Sequence, residues 1–223
     1  MSPASHVVIT GSNRGIGLAL AQHYASSGHT VTGICRSASP ALHQVADRVI
    51  AGIDLTRPED LTRVASNLVD HPVDLLLNVA GVMHWEALGK VDAQVIRQQL
   101  EINAIAPLLL TTALLDRLTP GAKVVFLTSR LGSLTDNTSG SGYGYRMSKA
   151  ALNMAAKTLA IDLAPREIAV GILHPGSVKT SLNQLGGEIE VSEAVAGLTQ
   201  RIDALTLESS GRFQHQNGAA LAW

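Results

Sequence analysis

The sequence predicts a doubly wound α/β fold, in which about seven mostly parallel strands carry helices on both faces. The chain has 223 residues, so residues 1–223 are expected to form one domain. Hydrophobic residues make up 46% of it and charged residues 16%, which is the balance of a folded chain. Short runs rich in Val and Ile alternate with longer helical patterns, as in parallel β-α-β units.

The predicted strands are apolar runs without polar alternation, as expected for strands that are buried on both faces. The first of them, HVVIT, leads directly into a glycine-rich turn. The runs predicted as strands are His6–Thr10, Thr30–Cys35, Arg48–Ile53, Val73–Val79, Lys123–Thr128 and Ile168–His174.

Helical spacing follows most of these strands. Apolar residues recur every three or four positions after Gly15, and Gly28 marks the end of that helix. Further helices are predicted near Pro58 and over Ala93–Leu118, Gly144–Leu163 and Ser192–Leu205, with a short tail after the last. Irregular stretches at 81–90, 131–144 and 176–191 each follow a strand, so they are candidate walls of a ligand pocket.

Charge and cysteine content exclude several classes of function. The 17 basic and 18 acidic residues are well mixed, so neither nucleic acid nor an anionic membrane surface is an expected partner. A single cysteine, Cys35, excludes an intrachain disulfide and a Cys-based zinc site, and the eight histidines lack ligand spacing. We expect no metal site, and we expect a cytoplasmic location because no leader pattern or membrane span is visible.

The segment Thr10–Gly17 lies between the first strand and the first helix. Its glycines, spaced G-x-x-x-G-x-G, allow a tight turn and a close backbone approach to a pyrophosphate at the helix N-terminus. Taken alone, the same pattern also fits a purely structural turn.

Tyr145 and Lys149 are four residues apart, so they share one face of the predicted helix. A lysine ammonium beside a phenol favours the phenolate and is expected to lower the pKa of Tyr145. Tyr145 is therefore a candidate proton donor near neutral pH. Taken alone, this pair also fits a solvated helix face.

The ordered set of motifs resembles the short-chain dehydrogenase/reductase family, in its compact single-domain branch with a Rossmann-type fold. The chain ending is similar to the carbonyl-reductase-like and C-signal-like subgroup. The motifs that carry the resemblance are Thr10-Gly11-x-x-x-Gly15-x-Gly17, Asn78-Val79-Ala80-Gly81, Asn103, Ser129, Tyr145-x-x-x-Lys149 and Pro175-Gly176.

The resemblance implies a catalytic role for each of four residues. Tyr145 would be the acid-base residue, and Lys149 its partner and a ligand of the nicotinamide ribose. Ser129 would hydrogen-bond the substrate oxygen, and Asn103 would hold a water that links Lys149 to solvent. Ser133 lies nearer to Tyr145 in sequence, and the gap from Ser129 is longer than is usual in the family, so the choice of serine stays open.

The resemblance also implies a dinucleotide site. The glycine turn would hold the phosphates, Asp54 and Leu55 would border the adenine, and residues after the sixth strand would border the nicotinamide. The expected cofactor residues are Gly11, Asn13, Arg14, Gly15, Ile16, Gly17, Arg36, Asp54, Leu55, Asn78, Ala80, Gly81, Tyr145, Lys149, Pro175, Gly176, Val178 and Thr180. Val79 stands where the family usually has a second Asn.

The end of the second strand predicts the cofactor. Family members that use NAD carry an Asp there, whereas this chain has Cys35-Arg36-Ser37. Arg36 and Arg14 would pair with the 2′-phosphate of NADP(H), since arginine meets phosphate with paired N–H bonds. A solvated Arg36 without a ligand is the alternative.

The sequence therefore predicts reversible hydride transfer between NADP(H) and a carbonyl or alcohol substrate, with bulky or apolar carbonyl compounds favoured over small polar ones. A dinucleotide-binding signalling or redox-sensing protein with little turnover is the alternative.

A homodimer or homotetramer is expected, because the two long helices carry more apolar residues than one core face needs. The short segment Ser177–Val191, with Gly186-Gly187, predicts a mobile loop and an open pocket, unless the tail at 213–223 covers it.

Overall fold

The computed structural model describes residues 5–184 and 186–223, and the predicted domain's residues 1–4 and 185 lie outside that range. Its strands form one parallel sheet of seven strands in the order β3-β2-β1-β4-β5-β6-β7. The strands are β1 His6–Thr10, β2 Thr30–Ile34, β3 Arg48–Ile50, β4 Val73–Asn78, β5 Leu118–Leu127, β6 Ala169–His174 and β7 Phe213–His215. This confirms the predicted fold class.

The helices cover both faces of the sheet. They are α1 Gly15–Ser26, α2 Pro40–Val45, α3 Pro58–Asn67, α4 Ala93–Leu100, α5 Ala106–Ala113, α6 Tyr143–Asp162 and α7 Val191–Asp203. Along β5, Val124 and Phe126 pack into the apolar layer under α3, α5 and α6. The alternate residues Val125 and Leu127 pack into the layer under α1, α2 and α7. Each strand therefore joins two cores, which explains its continuous apolar sequence.

The short helix α2 was not predicted, β3 ends at Ile50 and β5 begins at Leu118, and two larger differences concern the helix after β4 and the tail. The single helix expected over Ala93–Leu118 ends at Ala113 and is interrupted by a π-helical segment at Glu101–Ile105. The expected tail instead forms β7, in which Ile172, Leu173 and His174 of β6 pair with Phe213–His215. Among the described residues, no helix combines the length and apolarity needed to cross a membrane.

The order of the strands places a crevice at the carboxyl ends of β1 and β4. The chain winds from β1 outward to β3, then returns to β4 on the other side of β1. Connections therefore leave β1 and β4 toward opposite faces of the sheet, and ligands of such sheets bind in the opening between them.

Candidate active site

The turn after β1 is closely packed against the end of β4. Gly11 has φ +66°, and a β-carbon there would lie 2.9 Å from the Cα of Ala80. A β-carbon at Gly17 would overlap the carbonyl of Gly11. The hydroxyl of Thr10 accepts hydrogen bonds from the backbone N–H groups of Val79 and Ala80, at 3.0 and 3.1 Å. Positions 11 and 17 thus exclude side chains, so the turn presents backbone to the crevice there.

The N-terminus of α1 fits a phosphate group. Arg14 precedes the helix with an extended backbone and no side-chain cap, so no side-chain oxygen there satisfies the first N–H groups. These groups face a cavity of about 610 Å³ that is lined by Gly15, Ile16 and Gly17. Uncapped N–H groups and the helix dipole bind phosphate favourably, so the cradle fits a dinucleotide pyrophosphate.

Most of the predicted cofactor residues line this one cavity. It runs from the glycine turn, past the end of β2, to the first turn of α6. The predicted residues on its wall are Gly11, Asn13, Arg14, Gly15, Ile16, Gly17, Arg36, Asp54, Leu55, Ala80, Gly81, Tyr145, Lys149, Pro175 and Thr180. Cys35, Thr128 and Ser181 also line it and were not predicted as cofactor residues.

Three predicted cofactor residues lie behind the wall. The side chain of Asn78 donates to the hydroxyl of Thr111 on α5 at 3.4 Å, which turns it away from the cavity. Val178 is buried and forms a bridge with Ile189. Gly176 also faces Ile189, because a β-carbon there would lie 2.9 Å from the Cδ1 of that residue. These residues support the wall from behind.

The end of β2 is cationic. Arg14 and Arg36 are exposed on the cavity wall, and within residues 5–184 and 186–223 neither has an ion-pair partner. The carboxylate of Asp54 instead accepts from the backbone and hydroxyl of Thr56, at 3.1 and 2.7 Å. These bonds are the main cause that lowers the pKa of Asp54. The cavity therefore offers two guanidinium groups for an anionic ligand.

Tyr145 lies in the first turn of α6 with its side chain buried. Burial raises the pKa of Tyr145 to about 12, and a hydrogen bond with Ser129 opposes this rise. The hydroxyls of both serines also accept backbone N–H bonds, Ser129 from Leu131 at 3.2 Å and Ser133 from Asp136 at 3.0 Å. The hydrogen bond with Tyr145 favours Ser129 over Ser133, and the choice between the two serines stays a prediction.

Lys149 follows Tyr145 by one helical turn and points the same way. Its ammonium donates to the carbonyl of Leu127 at 2.9 Å and lies 5.8 Å from the ring centre of Tyr145. Burial lowers the pKa of Lys149 to about 8. The sequence predicts that Lys149 lowers the pKa of Tyr145. In the structure the net shift is upward, because burial of the phenol raises its pKa more than neighbouring groups lower it.

Asn103 lies in the π-helical segment and holds the loop after β4. Its amide oxygen accepts from the N–H of Val82 at 2.8 Å. Its amide nitrogen donates to the carbonyl of Val82 at 2.9 Å and to the hydroxyl of Ser148 at 3.0 Å. The side chain therefore ties the loop to α6, directly before Lys149.

Backbone hydrogen bonds join the two ends of the segment that follows Pro175. Lys179 donates its backbone N–H to the carbonyl of Ile189 at 2.9 Å, and Ile189 donates to Ser177 at 3.0 Å. A β-carbon at Gly187 would overlap the backbone of Val178 and Lys179. Gly187 therefore permits close packing of this segment on Val178 and Lys179.

The tail does not cover the cavity. Trp223 packs on Phe213 with ring centres 5.3 Å apart, and its carbonyl accepts from the backbone and hydroxyl of Thr135 at 3.0 and 2.8 Å. Trp85 packs against Gly142 and lies 5.7 Å from the guanidinium of Arg146. Neither tryptophan belongs to the cavity wall.

Comparison with known proteins identifies the family. The family model described as short chain dehydrogenase matches residues 5–188. The chain belongs to the short-chain dehydrogenase/reductase family. This confirms the resemblance that the motifs carry.

Two relatives of this short-chain dehydrogenase/reductase match over much of their length. The 1-hydroxy-2-glutathionyl-2-methyl-3-butene dehydrogenase of Rhodococcus sp. is 40% identical over 225 residues, which cover 98% of this chain and all of the relative. The C-signal of Myxococcus xanthus is 43% identical over 162 residues, covering 71% of this chain and 98% of the relative.

Solved structures show the same architecture. The NADPH-bound carbonyl reductase from chicken fatty liver has a TM-score of 0.89 and 27% identity, and each chain is covered to 99%. The carbonyl reductase Sniffer of D. melanogaster has a TM-score of 0.88 and 28% identity, covering 99% of this chain and 100% of that one. This short-chain dehydrogenase/reductase is therefore an NAD(P)(H)-dependent oxidoreductase that acts on a small molecule.

Proposed function

We propose that this enzyme reduces an aldehyde or ketone with NADPH, and that the cofactor and the substrate share the one domain. A single arrangement carries the proposal. Tyr145, hydrogen-bonded to Ser129, lies at one end of a cavity whose other end presents Arg14 and Arg36. The first end suits proton transfer to a carbonyl oxygen, and the second suits a 2′-phosphate.

The proton chemistry of the site supports the reductive direction. With a pKa of about 12, Tyr145 is protonated at neutral pH and can donate its phenolic proton to the carbonyl oxygen. Ser129 donates a hydrogen bond to the same oxygen as charge develops on it. With a pKa of about 8, Lys149 is mostly an ammonium at neutral pH and stabilises the phenolate that forms. When bound, NADPH supplies the hydride.

A coenzyme with a 2′-phosphate should be preferred, and Arg36→Asp should reverse that preference. The new carboxylate would repel the phosphate and accept hydrogen bonds from the ribose hydroxyls of NADH. We expect kcat/KM for NADPH to fall by about 100-fold relative to NADH, chiefly through KM. Arg212→Asp removes an exposed arginine away from the cavity wall and should leave the ratio unchanged. A wild-type enzyme that already prefers NADH would contradict the proposal.

A second candidate is alcohol oxidation. The Rhodococcus relative is named a dehydrogenase, and it matches along essentially its whole length. The same residues would then act in reverse, with Tyr145 as a phenolate that accepts the alcohol proton. Because burial keeps Tyr145 protonated at neutral pH, the phenol is ready to donate a proton to a carbonyl, whereas oxidation requires it to lose that proton first.

A signalling or sensing protein without turnover is the remaining alternative, and the similarity to C-signal gives it some support. The burial of Tyr145 and Lys149 on one wall argues for catalysis. Burying a lysine ammonium costs free energy of folding, and a catalytic role would explain why the chain retains it.

The direct test follows nicotinamide absorbance against a panel of aldehydes, ketones and quinones with NADPH, and against the matching alcohols with NADP⁺. Consumption of NADPH with at least one carbonyl class at neutral pH is expected. Turnover of alcohols alone would favour the second candidate. Tight NADPH binding without turnover of any panel member would favour the sensing protein.

We expect a homodimer or homotetramer, because α6 and its neighbour carry a second apolar face. Met147, Met154 and Ile161 repeat every seven residues on α6 and are 48%, 69% and 65% exposed. Ile105 on the π-helical segment and Leu109 on α5 are also exposed. Such a stripe on a surface helix indicates a partner surface.

Met154→Glu should shift the mass measured by light scattering at micromolar concentration toward the monomer. A charge in the middle of an apolar contact would have to be buried without a partner. Val69→Glu, which changes an exposed apolar residue after α3, should leave the mass unchanged. A monomeric wild type would contradict the expected assembly.

We also propose a cytoplasmic location for the enzyme.

A further inference from the structure

Two rungs of hydrogen bonds connect the helix that carries Asn103 with α6. The first is the Asn103 side chain, which bonds Val82 and reaches the hydroxyl of Ser148 at 3.0 Å. The second begins at Gln99, four residues earlier on the same helix. Its amide oxygen accepts from the N–H of His84 at 2.8 Å, in the same loop that Asn103 holds.

Glu86 completes the second rung. The amide nitrogen of Gln99 donates to one carboxylate oxygen of Glu86 at 2.9 Å. The other oxygen accepts from the backbone N–H of Gly144, at the start of α6, at 3.2 Å. Gly144 and Ser148, where the two rungs end, are four residues apart, and each directly precedes a catalytic residue, Tyr145 or Lys149.

The second rung is buried and tightly fitted. Gln99 is 0% exposed and Glu86 is 7% exposed, although both side chains are polar. A β-carbon at Gly144 would overlap the amide nitrogen of Gln99 and would lie 2.8 Å from the carboxylate of Glu86. Buried polar groups of this kind are retained in folds where their hydrogen bonds are satisfied, and breaking one leaves another unpaired.

The start of α6 has no cap of its own. Gly140, Ser141 and Gly142 have φ angles of +63°, +57° and +62°, and Gly142 provides no side chain to cap the helix. Arg146 holds this left-handed turn by donating to the carbonyls of Ser141 and Gly140, at 2.9 and 3.1 Å. The carboxylate that meets the helix N-terminus is supplied from outside, by Glu86.

We propose that Glu86 and Gln99 are positioning residues, which fix the first turn of α6 and thereby place the phenol of Tyr145. The inference rests on the proposed function for its catalytic consequence. Neither residue belongs to the cavity wall, so both act through the helix. Asn103 performs the equivalent task one helical turn further along, before Lys149.

The test exchanges the two side chains. In Glu86→Gln, the new amide has one oxygen for two donors, so either the Gly144 N–H or the Gln99 amide meets another donor. Gln99→Glu alone places two carboxylates together. The double variant Glu86→Gln/Gln99→Glu restores all three bonds. The carboxylate now at position 99 accepts from His84 and from the amide now at position 86, and the oxygen of that amide accepts from Gly144. Gln98→Glu makes the same change at an exposed neighbour and is the control.

Two readouts are compared across these variants, with NADPH and the best carbonyl substrate of the panel. We expect Glu86→Gln to lower kcat by about 10- to 100-fold, while KM for NADPH stays within about twofold. Amide hydrogen exchange in the peptide over residues 143–149 should become about 10-fold faster. The double variant should return both to within about threefold of wild type, and Gln98→Glu should change neither.

Several results would overturn the inference. These are an unchanged kcat in Glu86→Gln, a loss confined to KM for NADPH, unchanged exchange over residues 143–149, or a double variant no better than the single ones. If Glu86→Gln does not fold, a folded and active double variant supports the inference and an unfolded one overturns it. A wild type without turnover would refute the proposed function, while the exchange readout would still decide whether the rung holds α6.

Discussion

Replacing Tyr145 with Phe is expected to lower kcat by ~10²–10⁴-fold, the usual contribution of a general acid. The change removes one hydroxyl from a buried ring and keeps its shape, so the fold should be unaffected. Ser129, which is hydrogen-bonded to that hydroxyl, lacks the acidity to replace it as a proton donor. Binding of NADPH, measured by fluorescence titration, should change by less than about threefold.

Tyr143→Phe is the matched control for this substitution. Tyr143 is the first residue of the same helix, but it does not line the cavity. It should keep nearly full activity. A Tyr145→Phe enzyme that retains more than a tenth of wild-type kcat would contradict the role assigned to Tyr145.

Gly17→Ala is expected to weaken NADPH binding by about 100-fold or more, which corresponds to ~3 kcal/mol. The added β-carbon would overlap the carbonyl of Gly11, so the turn after β1 would have to move away from the helix. The N–H groups at the start of α1 would then no longer converge on a phosphate. Isothermal titration with NADPH measures the change.

Gly28→Ala separates this effect from general loss of stability. Gly28 follows the other end of α1 with φ +82°, and a β-carbon there would meet nothing within 4 Å. The variant should cost about 1 kcal/mol of stability through backbone strain and leave the Kd for NADPH unchanged. Equal loss of binding in both variants would contradict the phosphate cradle.

Much of the fold could be predicted because the buried strands have clear local signals. The residues of β1, HVVIT, are uniformly apolar, and a glycine turn follows them. The strand β7 has no such signal, since Phe213–His215 is short and its ladder with β6 forms only in the folded sheet. The π-helical segment at Glu101–Ile105 was also missed, because π turns have no local sequence signal and here the side chain of Asn103 bonds a distant loop.

Much of the candidate site could be predicted, because the motifs that form it lie at one edge of the sheet. Tyr145 and Lys149 were predictable because helical spacing places them on the same face. Glu86 and Gln99 were missed, since their burial depends on a contact with Gly144, which follows Glu86 by 58 residues. One signal was present in the sequence, because Gln99 precedes Asn103 by four residues and so shares its helix face.

The pKa of Tyr145 shows a further limit of sequence reasoning. The spacing to Lys149 predicted a lowered pKa, but the burial of the phenol could only be seen in the folded chain. Desolvation disfavours the charged phenolate, and this effect is larger than the influence of neighbouring groups.

The central claim is hydride transfer from NADPH to a carbonyl at Tyr145, and isotope transfer tests it most directly. NADPH that carries deuterium on both positions of the nicotinamide C4 is incubated with the enzyme and the best substrate of the panel, and the product is analysed by mass spectrometry. We expect an alcohol with one deuterium on the former carbonyl carbon, formed by the wild type and the Tyr143→Phe enzyme and at most at trace rate by Tyr145→Phe. An alcohol without deuterium, or equal transfer by the Tyr145→Phe enzyme, would contradict the central claim.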